Sequence, residues 1–385
     1  MPFGLYVHWP YCGSKCPYCD FNSHVADRIN PDRWAAAYRH EIARIAESTP
    51  DEVLTTIFFG GGTPSLMKPD VVAAVIDAAR AAWRCSNDIE ISMEANPGSV
   101  EVARFKAYRA AGVNRVSLGV QALHDRDLRR LGRMHSQQDA LRAVEVAEAI
   151  FSRVNIDLMY GRQHQTVTDW RSELDFALKL GTGHLSLYQL TIEDGTVFGR
   201  RHALGQLPGL PGEDLSVDFF YVTQELCDAA GMPAYEVSNH ARPSEHCRHN
   251  LIYWTAGTYA AIGPGAHGRL GIGPERRATE AIRDPSAWLA SVERKGNGDQ
   301  EVSGLSRSEQ VSEALLMGLR LTDGVPLERL RDLGAQTESW HSRRRLVDAG
   351  LLQPDPAALR TTLQGRLLLN AVLGELSSDL RVDQT

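Results

Sequence analysis

Three cysteines crowd into the loop WPYCGSKCPYCDF with the spacing C-x3-C-x2-C, at Cys12, Cys16 and Cys19, while Cys85, Cys227 and Cys247 are scattered. Thiolates are soft ligands that suit iron–sulfur clusters or zinc. Three of them on one loop can hold one face of a 4Fe-4S cubane and leave its remaining iron with an open coordination position. Zinc completed by His8 or His24 is the alternative, because zinc prefers a closed set of four ligands. Zinc ribbons draw on two separated pairs, whereas here all three cysteines share one loop, which favours the cluster. The loop also follows an apolar, strand-like run, and in parallel βα architectures ligands gather at such strand ends.

Two more strand ends carry ligand-binding character. TIFFGGGTPS ends in Gly60, Gly61 and Gly62, where missing side chains let the backbone approach a ligand, although such a run also makes a tight turn. MEANP places Glu94 where a carboxylate can accept hydrogen bonds from ribose hydroxyls or an ammonium group.

The elements that must position these residues read as repeated βα units. Apolar, β-rich runs at 5–8, 55–59, 89–94, 115–120, 154–160 and 184–190 alternate with segments of helical spacing. Asn30 and Pro31 offer an N-cap and first-turn proline for one helix, and others are expected over 68–82, 99–111, 136–150, 166–180 and 214–230. The expected class is α/β, with six strands forming a partial (β/α) barrel, although periodicity alone does not exclude a flat sheet. Beyond Glu236 the texture turns His- and Gly-rich. We expect a first domain over 1–240, a connecting region over 241–304 and a small winged-helix-like C-terminal domain over 305–385, with helices at 306–322 and 336–349.

The 385 residues are 43% hydrophobic and 23% charged, with net charge −7, which suits a folded chain but gives no basic footprint for nucleic acid. Arg343, Arg344 and Arg345 read as a solvated helix face. The N-terminus lacks a secretory pattern and no apolar run reaches membrane-spanning length. The expectation is a cytoplasmic protein without disulfides or transmembrane segment, with peripheral membrane contact left open.

Read in order, YVHWPYCGSKCPYCDF, FFGGGTPS, EANPGS, RVSLGVQ, LGRMH, NIDLMYG and LSLYQLTIEDGT resemble the coproporphyrinogen-oxidase-like branch of radical S-adenosylmethionine (SAM) proteins over nearly the whole chain. That resemblance implies a barrel of radical SAM type, a 4Fe-4S cluster on Cys12, Cys16 and Cys19, and SAM chelating the free iron and undergoing reductive cleavage. It implies first-SAM contacts from Tyr6, Tyr18, Gly61, Gly62, Thr63 and Glu94, with Gln121, Arg133 and Asp157 binding SAM or lining a second site.

Within the branch, the oxygen-independent coproporphyrinogen III dehydrogenases carry a further cysteine where this chain has Phe21, and a long N-terminal extension. HNLIYW at 249–254 matches the H-N-x-x-Y-W motif of the HemW heme chaperone family. The resemblance therefore implies heme as a further ligand, with His249 a candidate axial ligand and Tyr253 and Trp254 flanking a porphyrin face. Implied partners are an electron donor and recipient hemoproteins, respiratory or heme-storage. The dehydrogenase remains the alternative, and a winged-helix DNA binder with an iron–sulfur redox sensor is a third class that the acidic balance disfavours. One departure stands out: where the family continues L-P-G-Q-T after NIDLMYG, this chain has Arg162, Gln163, His164, Gln165 and Thr166, which leaves the local turn in doubt.

Overall fold

Strand β1 (Phe3–Trp9) is apolar along most of its length and almost wholly buried, as a strand must be when sheet neighbours flank both edges and other elements cover both faces. In the computed structural model, which describes residues 2–26, 28–337 and 340–382, β1 is the hub of an eleven-stranded sheet. Helix α1 (Pro31–Glu47) follows, its N-cap Asn30 accepting from the amides of Asp32 and Arg33 as the Asn-Pro signal predicts. Then come β2 (Val53–Gly61), α2 (Pro69–Ala82), β3 (Arg84–Ala95), α3 (Val102–Ala111), β4 (Arg115–Gln121), α4 (Asp125–Arg130), α5 (Gln137–Ile150), β5 (Arg153–Tyr160), α6 (Val167–Lys179) and β6 (His184–Gln189). Each of these strands pairs in parallel with its predecessor, so the six predicted βα units are present in chain order.

Helices α7 (Val197–Ala203) and α8 (Glu213–Ala229) lead to the short β7 (Asn239–Ala241), antiparallel to β6. At the other edge, α9 (Arg248–Trp254) precedes β8 (Thr258–Ile262), which pairs in parallel with β1. β9 (His267–Leu270), β10 (Arg277–Ala281), α10 (Pro285–Lys295) and β11 (Asp299–Gly304) extend that edge with antiparallel pairings. The stretch that reads as a connection thus adds four strands to the sheet. These strands are four to six residues long and joined by glycine-bearing turns, which hides their alternation in the sequence. β7 and β11 are not paired with each other, so the barrel is partial and open. Side chains or backbone from β2 to β6 nevertheless face one cavity, as a curved sheet requires.

The main core lies between sheet and outer helices, with Phe59, Ile91, Val116 and Ile156 meeting Val72, Tyr108, Val144 and Trp170. A second core closes the C-terminal region. It unites α11 (Arg307–Gly318), β12 (Val325–Pro326), α12 (Leu327–Asp332), α13 (His341–Asp348), β13 (Ala358–Leu359) and α15 (Leu369–Ser378) around Val311, Leu330, Leu346, Val372 and Leu376, with α14 (Leu363–Leu367) leading into α15. β12 pairs antiparallel with β13, and Leu352 bridges Thr361, giving helices with a small β-wing. Glu338 and Ser339 of the helix expected over 336–349 lie outside the described residues, and α13 starts at His341. In the basic run, Arg345 pairs with Glu375 and Arg343 donates to the carbonyl of Asp355, which ties two of its members to their own domain.

The loop that departs from the family is held by charge. Arg162 and Glu173 are both buried. Arg162 Nη1 donates to Glu173 Oε1 at 3.0 Å, Nη2 meets the other carboxylate oxygen, and the backbone amide of Leu123 donates to Oε1 at 2.6 Å. Arg162 Nη1 also reaches the carbonyl of Gln121 at 3.4 Å, so this pair braces the chain just past β4. Removing one partner of a buried pair strands the other charge. Arg162→Leu is therefore expected to cost about 3–5 kcal/mol in denaturant unfolding, although leucine is the residue the family carries there. A loss below about 1 kcal/mol would show the pair to behave as a solvated one.

Candidate cluster and nucleotide site

The cysteine loop is closed at its base by backbone. Cys12 N donates to the carbonyl of His24 at 2.9 Å and His24 N to that of Pro10 at 2.7 Å, while Cys19 N donates to Cys16 O at 3.2 Å inside the loop. Each of two sulfurs receives a donor: Thr63 Oγ1 lies 3.3 Å from Cys12 Sγ, and Arg133 Nη1 lies 3.3 Å from Cys16 Sγ. Arg133 is anchored in turn by Nη2 donating to Gly119 O at 2.8 Å. Burial pushes the Cys12 and Cys19 thiols above their usual range. A bound metal inverts that balance, because a cation favours the thiolate directly. The two histidines that offered a zinc alternative face Asn22 instead: His8 Nε2 is 2.9 Å from its carbonyl and His24 Nε2 is 3.1 Å from its side-chain oxygen. Among the described residues no group of three or more His, Cys, Asp or Glu side chains, the three cysteines included, is gathered to hold a single ion.

The three cysteines open onto a cavity of about 620 Å³, within the size range of cofactor sites. Of the predicted contacts, Tyr18, Gly61, Gly62, Thr63, Glu94, Gln121, Arg133 and Asp157 line it. Gln121 does so from a left-handed backbone, φ 72°, the bend that Arg162 braces. The glycine run has a double purpose. A Cβ on Gly62 would sit 2.8 Å from Tyr11 O and 3.1 Å from Cys12 Sγ, and Gly61, at φ 110°, would place one 2.6 Å from the His8 ring. These glycines let the cysteine loop lie against β2 as well as exposing backbone to a ligand.

Tyr6 and His249 do not join this cavity. Tyr6 lies behind Gly60, its hydroxyl 3.1 Å from His8 Nδ1, and lines a neighbouring cavity. His249 is fully buried, with Nδ1 2.7 Å from Thr56 Oγ1 and Nε2 2.7 Å from the Tyr253 hydroxyl. Its ring stacks on Phe58 at 5.1 Å, and burial pulls its pKa down to about 3. The expectation of an accessible axial ligand thus meets an imidazole whose two nitrogens are both engaged inside the protein.

Residues missed by sequence reasoning complete the wall: Ser117, Gly119 and Tyr188 from strands, and Arg366 from the C-terminal region. Ser117 was available from strand alternation, since it pairs in register with Glu94 and hydrogen-bonds Asp157 at 3.0 Å. Arg366 had no local signal, because only the fold brings it there. Below the cavity floor a polar ladder fills the barrel: Asn155 Nδ2 donates to Asp157 Oδ1 at 2.6 Å and to Ser186 Oγ at 2.9 Å, and Asn155 Oδ1 meets His184 Nδ1 at 2.5 Å.

Two carboxyls share this cavity, and the charge of Asp157 acts on Glu94. Burial, the charge of Asp157 and a single opposing amide from Gly61 leave Glu94 raised to about 8. Burial raises Asp157 to about 6, against hydrogen bonds from Ser117, Ser186 and Asn155 and the positive charge of Arg133. A cationic ligand relieves both, so the cavity is matched to an amino or sulfonium group. For a carboxyl raised on folding, the stability contribution is complete below the unfolded pKa near 4.5 and is lost as pH climbs through about 8. Glu94→Gln is accordingly expected to match the ligand-free wild type at low pH and to exceed it at pH above 8, by up to about 5 kcal/mol, in thermal unfolding. Parallel wild-type and variant curves across that window would contradict the assignment.

The radical SAM superfamily profile matches residues 6–177, and that of the HemN C-terminal domain matches 305–368. The chain is 39% identical over 329 residues to the heme chaperone HemW of Escherichia coli K12, covering 84% of each protein. It is 37% identical over 383 residues to HemW of Mycobacterium tuberculosis H37Rv, covering 98% of this chain and 95% of that one. It is 36% identical to the mitochondrial radical S-adenosyl methionine domain-containing protein 1 of Bos taurus, over 98% of this chain and 88% of that protein. Among solved structures, the coproporphyrinogen III oxidase HemN of Escherichia coli shares the fold at a TM-score of 0.82 with 21% identity, covering 98% of this chain and 90% of that one. Both the sheet with its three-cysteine loop and the near full-length identity lead to one conclusion: the chain belongs to the radical SAM superfamily and, within it, to the HemW family.

Proposed function

We propose that this chain is a heme carrier that binds a 4Fe-4S cluster on Cys12, Cys16 and Cys19 and SAM in the adjoining cavity, and passes heme to recipient hemoproteins. The observation that carries the reading is the near full-length similarity to proteins named heme chaperone HemW, together with a three-cysteine loop opening on a ligand-sized cavity. When bound, a cluster held by three thiolates supplies an open iron position and an electron. This chain's own residues do the rest. Arg133 donates to Cys16 and lines the cavity, where its guanidinium is a fit for a carboxylate, and its Nε is buried without a partner. Glu94 and Asp157 answer cationic groups, Gly61, Gly62 and Thr63 present backbone, and Tyr18 and Gln121 complete the wall. Tyr6 acts at one remove, behind Gly60.

His249 enters this proposal as a positioning residue that fixes the Tyr253 hydroxyl and, through its amide to Glu90 Oε1 at 3.2 Å, the start of α9. We assign cluster and SAM to residues 1–240, the motif helix to 241–304 and a closing domain to 305–385. The recipients are respiratory or heme-storage proteins, and an electron donor serves the cluster. A reducing, cytoplasmic setting is supported by six free cysteines, and no described helix is long and apolar enough to cross a membrane.

Anaerobic reconstitution of the wild type is expected to give the brown iron–sulfur absorption, and the triple Cys12→Ala, Cys16→Ala, Cys19→Ala variant to lose it together with bound iron. Retained iron in the triple variant would refute the ligand set. Heme titration should yield a Soret band saturating at a defined stoichiometry. Conversion of coproporphyrinogen III to protoporphyrinogen at enzymatic rates, with reduced cluster and SAM present, would overturn the carrier reading in favour of the dehydrogenase.

A further inference from the structure

A second cavity of about 460 Å³ adjoins the first and shares Phe21, Gly61 and Glu94 with it. Its walls come from β1, α9, β8 and β9, with Arg276 and Arg283 on either side of β10 and Glu313 and Met317 of α11. Tyr253 and Tyr259 supply aromatic surface, packed edge to face at 4.6 Å. Trp254 lies beside them with the Arg320 guanidinium 5.4 Å over its ring.

The polar groups of this cavity are unbalanced toward donors. Arg269 is satisfied: Nε reaches Glu313 Oε1 at 2.7 Å, Nη2 reaches it at 2.6 Å, and Nη1 donates to Gly268 O at 3.0 Å. Arg276, only 6% exposed, donates to Gly257 O at 3.2 Å and comes no nearer to Glu313 than 3.7 Å. Its Nε and the indole Nε1 of Trp254 are buried without any partner. A buried N–H without an acceptor is costly, and native proteins answer it with a ligand or water. Two carboxylates, Glu313 and the shared Glu94, meet three guanidiniums, those of Arg269, Arg276 and Arg283, the last 3.9 Å from Glu280. Donors, surplus positive charge and aromatic walls together select a flat ligand bearing carboxylates. His267 also lines the cavity, with its side chain 49% exposed and no nearer than 3.9 Å to Glu280.

We propose that this cavity seats one edge of a carboxylated metalloporphyrin, with a propionate received by Arg276 and Trp254, the ring against Tyr253 and Tyr259, and His267 as the iron ligand. The inference rests on the heme-carrier reading and deepens it. It moves the ligating imidazole from His249, whose nitrogens are both bonded, to the half-exposed His267 on β9. It also places the cargo next to the SAM cavity, across the shared wall of Gly61 and Glu94.

The test titrates ferric protoporphyrin IX into the reconstituted full chain, beside its dimethyl ester and iron-free protoporphyrin IX, and repeats the series with Arg276→Leu and His267→Ala. The ester is expected to bind the wild type on the order of tenfold to a hundredfold more weakly, and Arg276→Leu to bind the diacid with a similar loss. His267→Ala should shift the Soret maximum of the ferric complex while leaving the affinity for iron-free porphyrin unchanged. Because Arg276 is buried and its loss can unfold the domain, the ester comparison on the unaltered chain tests the carboxylate claim by itself. Equal binding of ester and diacid, or an unmoved Soret band in His267→Ala, overturns the seat while wild-type heme binding preserves the carrier reading. A wild type that binds no heme removes the carrier reading and the seat together.

Discussion

The close passage of the end of β1 against the end of β2 governs the rest of the site. Gly62 N donates to Trp9 O at 2.7 Å and Thr63 N to Tyr11 O at 2.9 Å, so the chain leading into the cysteines is hydrogen-bonded to the chain leaving the glycines. Only residues without side chains fit between them, as the Cβ distances at Gly61 and Gly62 show. Once that contact forms, Thr63 is carried to Cys12 and Gly61 N is directed at Glu94, 3.1 Å from its carboxylate. A single backbone approach thus sets the sulfur environment and the carboxylate orientation together.

Behind this contact, the interior of the half-barrel is polar where a packed barrel core would be aliphatic. Asn155 joins Ser117, Asp157, Ser186 and His184, and His184 continues to the Tyr235 hydroxyl at 2.8 Å. A satisfied network of this kind fixes rotamers more sharply than apolar packing, because each misplacement leaves a buried group unpaired. Asp157 is therefore held in place by neighbours that also keep its charge within reach near neutrality. Such support from below is what a site built on strand ends requires in order to stay open.

The cysteine spacing was legible because its chemistry is local: three thiols in one loop need no tertiary information. The six βα strands were legible because their two-sided burial makes them continuous apolar runs. Strands β8 to β11 were not, being short and set apart by glycine-bearing turns, with three of their four pairings antiparallel at a sheet edge. Glu173, Arg366 and Arg276 escaped for a common reason, since each acquires its importance from a partner or cavity that only folding brings near. His249 is the instructive intermediate. The motif singles it out, and the structure puts it on a helix one turn from Tyr253, but spacing says nothing about which side faces solvent, and Gly4 on β1 makes room for the ring on the inside.

Glu94 belongs to both chambers at once. A proton on that carboxyl, or a cation beside it, is felt on either side of a partition only a glycine and a side chain thick. Thermodynamic reciprocity then fixes the relation between two guests so placed: whatever factor the first imposes on the affinity of the second, the second returns in equal measure. Any coupling carried by the Glu94 charge across such a partition needs no moving part between the rooms.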